Sequence, residues 1–437
     1  MRRRRQNAVS CSERVFTAEG FRTTRLLSRI LHLCILYLVS CLSPPPRLTY
    51  YPKEAAAMSR LIYLDHAATS YPKPPAVISA VTDCMKYRGG NPGRSSHTLA
   101  LEAAREIYAC REVAARMFGA EPDRVVFTLN TTHALNIAIK GIMRQGGHAV
   151  CSDMEHNSVF RPLYRLAREG ICGFDVFDTF PASPLRTDGM ILSSLASKVR
   201  PDTRMVVCAH ASNLCSATLP IRRIGEFCRR RGILFVVDAA QSAGCMELNM
   251  ERDRIDVLCL PGHKGLMGPQ GTGMLILGKG VTPDTLMEGG NGMDSLRGEM
   301  SADAPERYEA GTLQTPAIAG LRAGMEYVES VGTEEIGAHE QALGLRLRNR
   351  LMEIPQVKVF APHREGGVVL FTVEGYASED VGRVLDGEGI CVRPGFHCSA
   401  LGHRTLGTPD GGAVRVSFGW GSRERDGEAV LKILKRL

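Results

Sequence analysis

The sequence predicts an α/β protein in which a large domain, built on a mostly parallel sheet between helices, is joined to a smaller α+β domain. Three observations carry this expectation. Short, continuously apolar stretches such as RVVFT, HAVCS, RMVVCA and ILFVVD recur after Gly119 and alternate with helical patterns, as strands buried on both faces of a parallel sheet do. Polar residues with chemistry to offer follow these strands, at the sheet edge where open α/β folds bind ligands. From about Val357 the order changes to strand, helix, strand, which marks the second domain. At 437 residues and 44% hydrophobic content the chain is long enough for both.

The first 57 residues stand apart. They hold ten Lys/Arg against three Asp/Glu, most of the formal net charge of +8, so the body is nearly neutral and makes no electrostatic case for nucleic acid. The 13-residue apolar run Ile30–Leu42 falls short of the roughly 20 residues of a membrane-spanning helix, and no clear small-x-small cleavage site follows it. The globular chain is expected to open at Met58, with residues 1–57 a basic and apolar leader that is unstructured or outside the natural coding sequence. Residues 58–74 are expected to join the small domain, 75–315 to form the large domain, and 316–437 to form the small one. Fourteen cysteines without a C-x-x-C pair read as reduced thiols in a cytoplasmic protein with no membrane contact for its body.

Taken in order, Leu61 opens a short strand, and the polar, Pro-rich DHAATSYPKPPAV after it reads as a loop. Leu99–Phe118 has helical apolar spacing and stops at Gly119. Arg124–Thr128 is a buried strand that leads through Asn130, Thr131, Thr132 and His133 into a helix. The free N–H groups and dipole of such a helix start suit an anion; ordinary N-capping by Thr131 or Thr132 is the alternative. Strands ending near Ser152, Ala209 and Val237 place His156, Asn213, Asp238 and Gln241 beyond their carboxyl ends. Asp238, directly after an apolar strand, is costly to bury unless a cation or donor meets it; a protonated pyridine nitrogen would, and capping the next helix is the competing role. His156 is either a satisfied core histidine or a ring stacked on a planar cofactor.

The stretch RIDVLCLPGHKGLMGPQGTG, residues 254–273, runs from a buried strand at Ile255–Leu260 into a Gly-rich turn around His263 and Lys264. Its glycines permit close backbone approach to a flat ligand. A lysine there, partly desolvated, loses some of its proton affinity and forms a Schiff base with an aldehyde; a solvated loop lysine is the plainer reading. Helices follow residues 288–315, a Gly-rich region ending in RYEAGTLQT. In the last domain Cys398 sits among glycines and prolines on an accessible loop, where a neighbouring histidine favours the nucleophilic thiolate. A buried free cysteine, or a metal held by His397, Cys398 and His403, are the alternatives, the second short of ligands. Arg415, on the strand AVRVSF, suits bidentate capture of a carboxylate.

Together LDHAATSYPKP, NTTHALN, MEHNSV, ASNLCS, VDAAQSAG, PGHKGLMGPQGTG, RYEAGT and RPGFHC, in this order, resemble the class V aminotransferase-like, pyridoxal-phosphate-dependent cysteine desulfurases, over essentially Met58–Leu437. The short span from Cys398 to Arg415 looks like the SUF-type, or group II, branch. The resemblance implies a fold type I enzyme in which Lys264 holds pyridoxal 5'-phosphate covalently, His156 stacks on its ring and moves protons, and Asp238 pairs with the ring nitrogen. It implies further that Asn213 and Gln241 contact the ring oxygen region, that Thr131, Thr132, His133 and His263 surround the phosphate, and that Thr312 reaches the phosphate of a neighbouring subunit in a homodimer. Arg415, with Asn213, would bind the carboxylate of L-cysteine, and Cys398 would take its sulfur and pass it to an acceptor protein for iron-sulfur cluster or related cofactor synthesis. No metal is implied. Two departures stand out: Pro261 replaces a hydroxyl residue common shortly before the lysine, and the segment after Cys398 differs from well-known members. A selenocysteine lyase or a class V aminotransferase on the same scaffold, and a non-catalytic docking protein, are the competing functions.

Overall fold

Seven strands in the order β2-β8-β7-β6-β5-β3-β4 form the sheet on which the chain is built. The computed structural model describes residues 61–93, 97–292 and 296–437; the leader at 1–57 lies outside the described residues. In chain order the elements are β1 (Ile62–Tyr63), α1 (Pro75–Tyr87), α2 (Thr98–Phe118), β2 (Val125–Thr128), α3 (Thr131–Met143), β3 (His148–Ser152), α4 (Asn157–Arg168), β4 (Gly173–Phe177), α5 (Asp188–Lys198), β5 (Thr203–Ala209), α6 (Ile221–Arg229), β6 (Leu234–Asp238), β7 (Val257–Pro261) and β8 (Gly273–Leu277). There follow α7 (Thr315–Val331), α8 (Thr333–Met352), β9 (Val357–Val359), β10 (Val368–Val373), α9 (Ser378–Gly387), β11 (Ile390–Cys391), β12 (Arg393–Gly395), α10 (Ala400–Leu406), β13 (Ala413–Ser417) and α11 (Glu424–Leu434).

Strands β4, β3, β5, β6 and β7 pair in parallel, and β8 alone runs against its neighbours β7 and β2. Continuous apolar runs are required here because both faces are covered. Phe235 and Val237 of β6 pack with α2, α5, α6 and α7, while Val236 between them packs with α3 and α4. The same division separates Leu258 and Leu260 from Val257 and Cys259 in β7. Side chains alternate faces along a strand, so a one-sided apolar pattern would leave half of each strand unfit for its surroundings.

A second, antiparallel sheet has the order β12-β13-β10-β9, and β1 pairs in parallel with β11. Its core joins Val369, Phe371, Val414 and Val416 to Leu347 of α8 and Leu431 of α11. Among the described residues no helix is long and apolar enough to cross a membrane.

Two elements depart from the sequence reading. The loop expected over DHAATSYPKPPAV ends at Pro74, because Pro75 occupies the first turn of α1, where its fixed φ and missing N–H do no harm. The glycine-studded stretch after Cys398 contains α10, closed by Gly407 at φ 64; its glycine marks a helix end. The helix at Thr131 is capped by Asn130, whose side chain accepts from the His133 N–H, and not by either threonine.

Candidate active site

Five strands that run in one direction, β2, β3, β5, β6 and β7, each deliver polar residues to one cavity of about 290 Å³: Thr131 and Thr132 after β2, His156 after β3, Asn213 after β5, Asp238 at the end of β6 and Lys264 after β7. The loop and strands of the second sheet close it with Arg393, His397, Cys398 and Arg415.

Lys264 owes its position to a tightly folded turn. Gly262 N–H donates to Thr272 O at 2.8 Å, Gly268 N–H to Gly262 O at 2.8 Å, and Met267 N–H to Lys264 O at 2.9 Å. A Cβ on Gly265 would overlap the carbonyl oxygen of Ala243. The glycine is therefore required for contact with the protein's own backbone, whereas the sequence reading assigned these glycines to a ligand. The His263 carbonyl fastens the turn to the segment after β1, accepting from Thr69 Oγ1 at 3.0 Å and Lys73 Nζ at 2.8 Å. The His263 ring meets Thr69 Oγ1 at 3.1 Å.

Electrostatics distinguish the groups. Burial brings the Lys264 ammonium down to about 8; Asp238 opposes the shift, and Arg415 and Arg393 add to it. Asp238, 3% exposed, is pushed up to about 6 by burial, against a 2.9 Å hydrogen bond from Ala240 N–H and the charge of Lys264. His156 falls to about 4, first through burial and then through Lys264 and Arg415. Its Nδ1 accepts from Ser158 N–H at 3.1 Å, so the neutral ring carries its proton on Nε2. Gln241 Nε2 donates to Ala67 O at 3.0 Å.

Arg415 is 2% exposed. Its Nη2 meets Asp65 Oδ1 at 2.7 Å and its Nη1 donates to Asn213 O at 3.1 Å, while Nε is buried without a partner. Sequence reasoning missed Asp65, which lies 350 residues from the arginine; its one local signal is a carboxylate directly after a short strand. It also missed Arg393. Cys398 is exposed and lines the cavity. The adjacent His397 is pushed down to about 3 by burial and Arg415, so it stays neutral and offers the thiol no positive charge, contrary to the sequence expectation.

Glu155, fully buried near Asp238, is raised to about 8 by burial; hydrogen bonds from Ser152 Oγ and Ala209 N–H act against the rise, and its Oε2 has no partner. A carboxyl protonated in the folded state but ionised in the unfolded chain contributes stability that is complete below the unfolded value and is lost as pH rises through about 8. Cofactor-free Glu155→Gln protein is expected to lose a decline of about 1.4 kcal/mol per pH unit between roughly pH 4.5 and 8. Urea melts across that range read it; parallel curves for parent and variant would refute the assignment.

Two candidates stand outside this cavity. His133, whose Nδ1 accepts from Leu129 N–H at 3.3 Å, shares a separate cavity of about 120 Å³ with Thr312, and Thr312 also lines a wider cleft of about 750 Å³.

The residues present fit pyridoxal 5'-phosphate. Thr131 lines the cavity at the start of α3 with a buried, unpartnered Oγ1, beside first-turn N–H groups that have no acceptor within the helix. Asp238 is a buried carboxylate in want of a cation, and Lys264 an amine with weakened proton affinity.

A mostly parallel seven-stranded sheet with this lysine and aspartate beyond its carboxyl edge defines a pyridoxal-phosphate enzyme of fold type I. The chain belongs to the aminotransferase class-V family, whose model matches residues 62–430. It is 33% identical over 366 residues to a probable cysteine desulfurase of Methanothermobacter thermautotrophicus, covering 82% of this chain and 90% of that relative. It is 32% identical to a probable cysteine desulfurase of Pyrococcus abyssi, covering 88% and 96%. The apo structure of a cysteine desulfurase from Thermococcus onnurineus superposes with a TM-score of 0.77 at 30% identity, over 86% of this chain and 94% of that one.

Proposed function

We propose that this chain is a pyridoxal-phosphate-dependent cysteine desulfurase, which converts L-cysteine to L-alanine and takes the sulfur onto Cys398 as a persulfide. The observation that carries this is the meeting, in one cavity, of a desolvated lysine, a buried aspartate, a buried arginine and an exposed cysteine. Lys264 would hold the cofactor's aldehyde carbon, Asp238 its ring nitrogen, Thr131 and Thr132 its phosphate, and His156 would lie against its ring, with Asn213 and Gln241 at its oxygen. When bound, the cofactor supplies an electron sink for the substrate's carbons.

The protein's own groups do the rest. Arg415, aimed by Asp65, holds the substrate carboxylate. Lys264 Nζ, neutral in a useful fraction because its pKa is near 8, takes the Cα proton. Cys398 Sγ bonds to the substrate sulfur as the bond from that sulfur to Cβ breaks. The electron pair stays with that carbon, which gains a proton, Lys264 returns its proton to Cα, and alanine leaves, so the step needs no outside oxidant. His156, which lines the same cavity with its proton on Nε2, serves as a proton carrier.

The reading includes a homodimer, since Thr312 stands outside the Lys264 cavity of its own subunit. It includes a division near residue 315 into a cofactor-binding lobe and a smaller lobe carrying Cys398, supported by their separate sheets. A sulfur-acceptor protein and a cytoplasmic setting belong to it as well. Alanine and sulfide released from L-cysteine, with one added sulfur on the Cys398 peptide by mass spectrometry, test it. Alanine release with no added sulfur would mark a lyase instead.

Arg415→Ala is expected to lower kcat/KM for L-cysteine while the visible spectrum of bound cofactor is kept. Loss of a charge-assisted bidentate contact costs about 1.5–3 kcal/mol, or roughly ten- to a hundredfold. An unchanged kcat/KM would pass the role to Arg393, the other guanidinium at the cavity.

A further inference from the structure

Beside Cys398 runs a row of hydrogen bonds that the mechanism above does not use. His397 Nε2 lies 2.8 Å from Arg393 O, His397 Nδ1 3.1 Å from His403 Nε2, and His403 Nδ1 2.8 Å from Thr408 Oγ1. The two imidazoles lie edge to edge, with ring centres 5.3 Å and planes 10° apart, as an in-plane N–H donor requires. A carbonyl oxygen only accepts, so His397 carries its proton on Nε2 and its Nδ1 is an acceptor. His403 must then donate from Nε2, which leaves its Nδ1 to accept from the Thr408 hydroxyl. One carbonyl thus sets the direction of every bond in the row. Burial, with Arg415 nearby, brings His397 to about 3 and His403 to about 4, so both rings keep these neutral tautomers near neutral pH.

The row ends on the segment with the least ordinary backbone in the site. His397 at φ 51 and Cys398 at φ 54 are successive non-glycine residues in the left-handed region, a conformation that persists only where the surroundings over-determine it. Main-chain anchors hold part of it: Asn213 Nδ2 donates to His397 O at 2.9 Å, and Asn157 N–H to Cys398 O at 2.8 Å. The imidazole row holds the His397 side chain, tying it to α10 through His403 and to the turn after α10 through Thr408.

We propose that His403 is a positioning residue for sulfur transfer: by donating from Nε2 to His397 Nδ1 it holds the left-handed His397–Cys398 pair and so aims the Cys398 thiol into the Lys264 cavity. This rests on the reading of Cys398 as sulfur acceptor, and the test separates the two. His403→Leu keeps apolar volume and removes the donor; His403→Gln places an amide N–H where Nε2 stood. At saturating L-cysteine, the single-turnover rate of persulfide formation on Cys398 is expected to fall about tenfold in His403→Leu, inside the roughly hundredfold that a misplacement of about 1 Å imposes on reacting groups. L-Cysteine binding, read from the change in the cofactor's visible spectrum, stays as in the parent, and His403→Gln recovers most of the rate. Thr408→Val, which leaves both rings in place, gives a smaller fall in the same direction.

Parent-like transfer in His403→Leu would overturn the proposal. So would equal losses in the Leu and Gln variants accompanied by weakened binding, the signature of a merely structural residue. If the parent itself forms no persulfide, the desulfurase reading fails, and positioning is decided by alkylation. The iodoacetamide labelling rate of Cys398 in cofactor-free protein, read on its own peptide, is then expected to rise in His403→Leu and return in His403→Gln. An unchanged labelling rate refutes it.

Discussion

Lys264→Ala protein is expected to purify without the visible absorption of covalently held cofactor and to release no measurable alanine from L-cysteine. The amine does two things, holding the cofactor and moving the Cα proton, and proton transfer by a positioned group alone contributes about 10²- to 10⁴-fold. No other described lysine can replace it. Lys73, the other lysine of this region, is also brought down to about 8 by burial, but its Nζ is held by Ser70 Oγ at 2.7 Å and His263 O at 2.8 Å, and it does not line the cavity. A melting temperature within the parent's range would show that the loss is chemical, since the Lys264 turn is secured by its backbone and by Gly265 against Ala243. Retained absorbance together with turnover would refute the assignment of the cofactor site.

Cys398→Ser should separate the two halves of the reaction. The variant binds cofactor and alters its spectrum on adding L-cysteine, because Lys264, Asp238 and Arg415 are untouched. Alanine release then falls by orders of magnitude, as a hydroxyl at neutral pH is far less ionised than a thiol and a poorer nucleophile toward sulfur. Cys398 is the one exposed cysteine among the described residues; Cys245 and Cys391 are partly buried, so no neighbouring thiol is as open to substrate. Mass spectrometry finds one added sulfur on the Cys398 peptide of the parent after exposure to L-cysteine, and none in the variant. Normal turnover by the serine variant would exclude Cys398 as acceptor and leave a lyase or an aminotransferase on this scaffold.

Much of the sheet is legible in the sequence because β3, β5 and β6 are buried on both faces and so carry uninterrupted apolar runs. Strand β4 is not, since Gly173–Phe177 is an edge strand with a half-buried pattern. Helix α1 is hidden by its prolines, which read as loop although Pro75 lies in the first helical turn. Asp65 cannot be paired with Arg415 from the chain alone, because nothing local to either residue specifies a partner 350 positions away.

The order of strands and helices, and with it the set of polar residues that follow the strands, is written in the amino acids alone. Side-chain period and chain direction are local properties, and they suffice to put His156, Asn213, Asp238 and Lys264 at one edge of a parallel sheet. Which groups share a cavity, and in what charge state, was settled by tertiary packing and by nothing short of it. Packing set the Arg415–Asp65 pair, the unpartnered Thr131 hydroxyl and the placement of His133 and Thr312 outside the Lys264 cavity. It also held His397 neutral beside Cys398 and set the left-handed turn that carries both. Desolvation and hydrogen-bond direction depend on every atom packed around a group, and those atoms come from segments hundreds of residues apart.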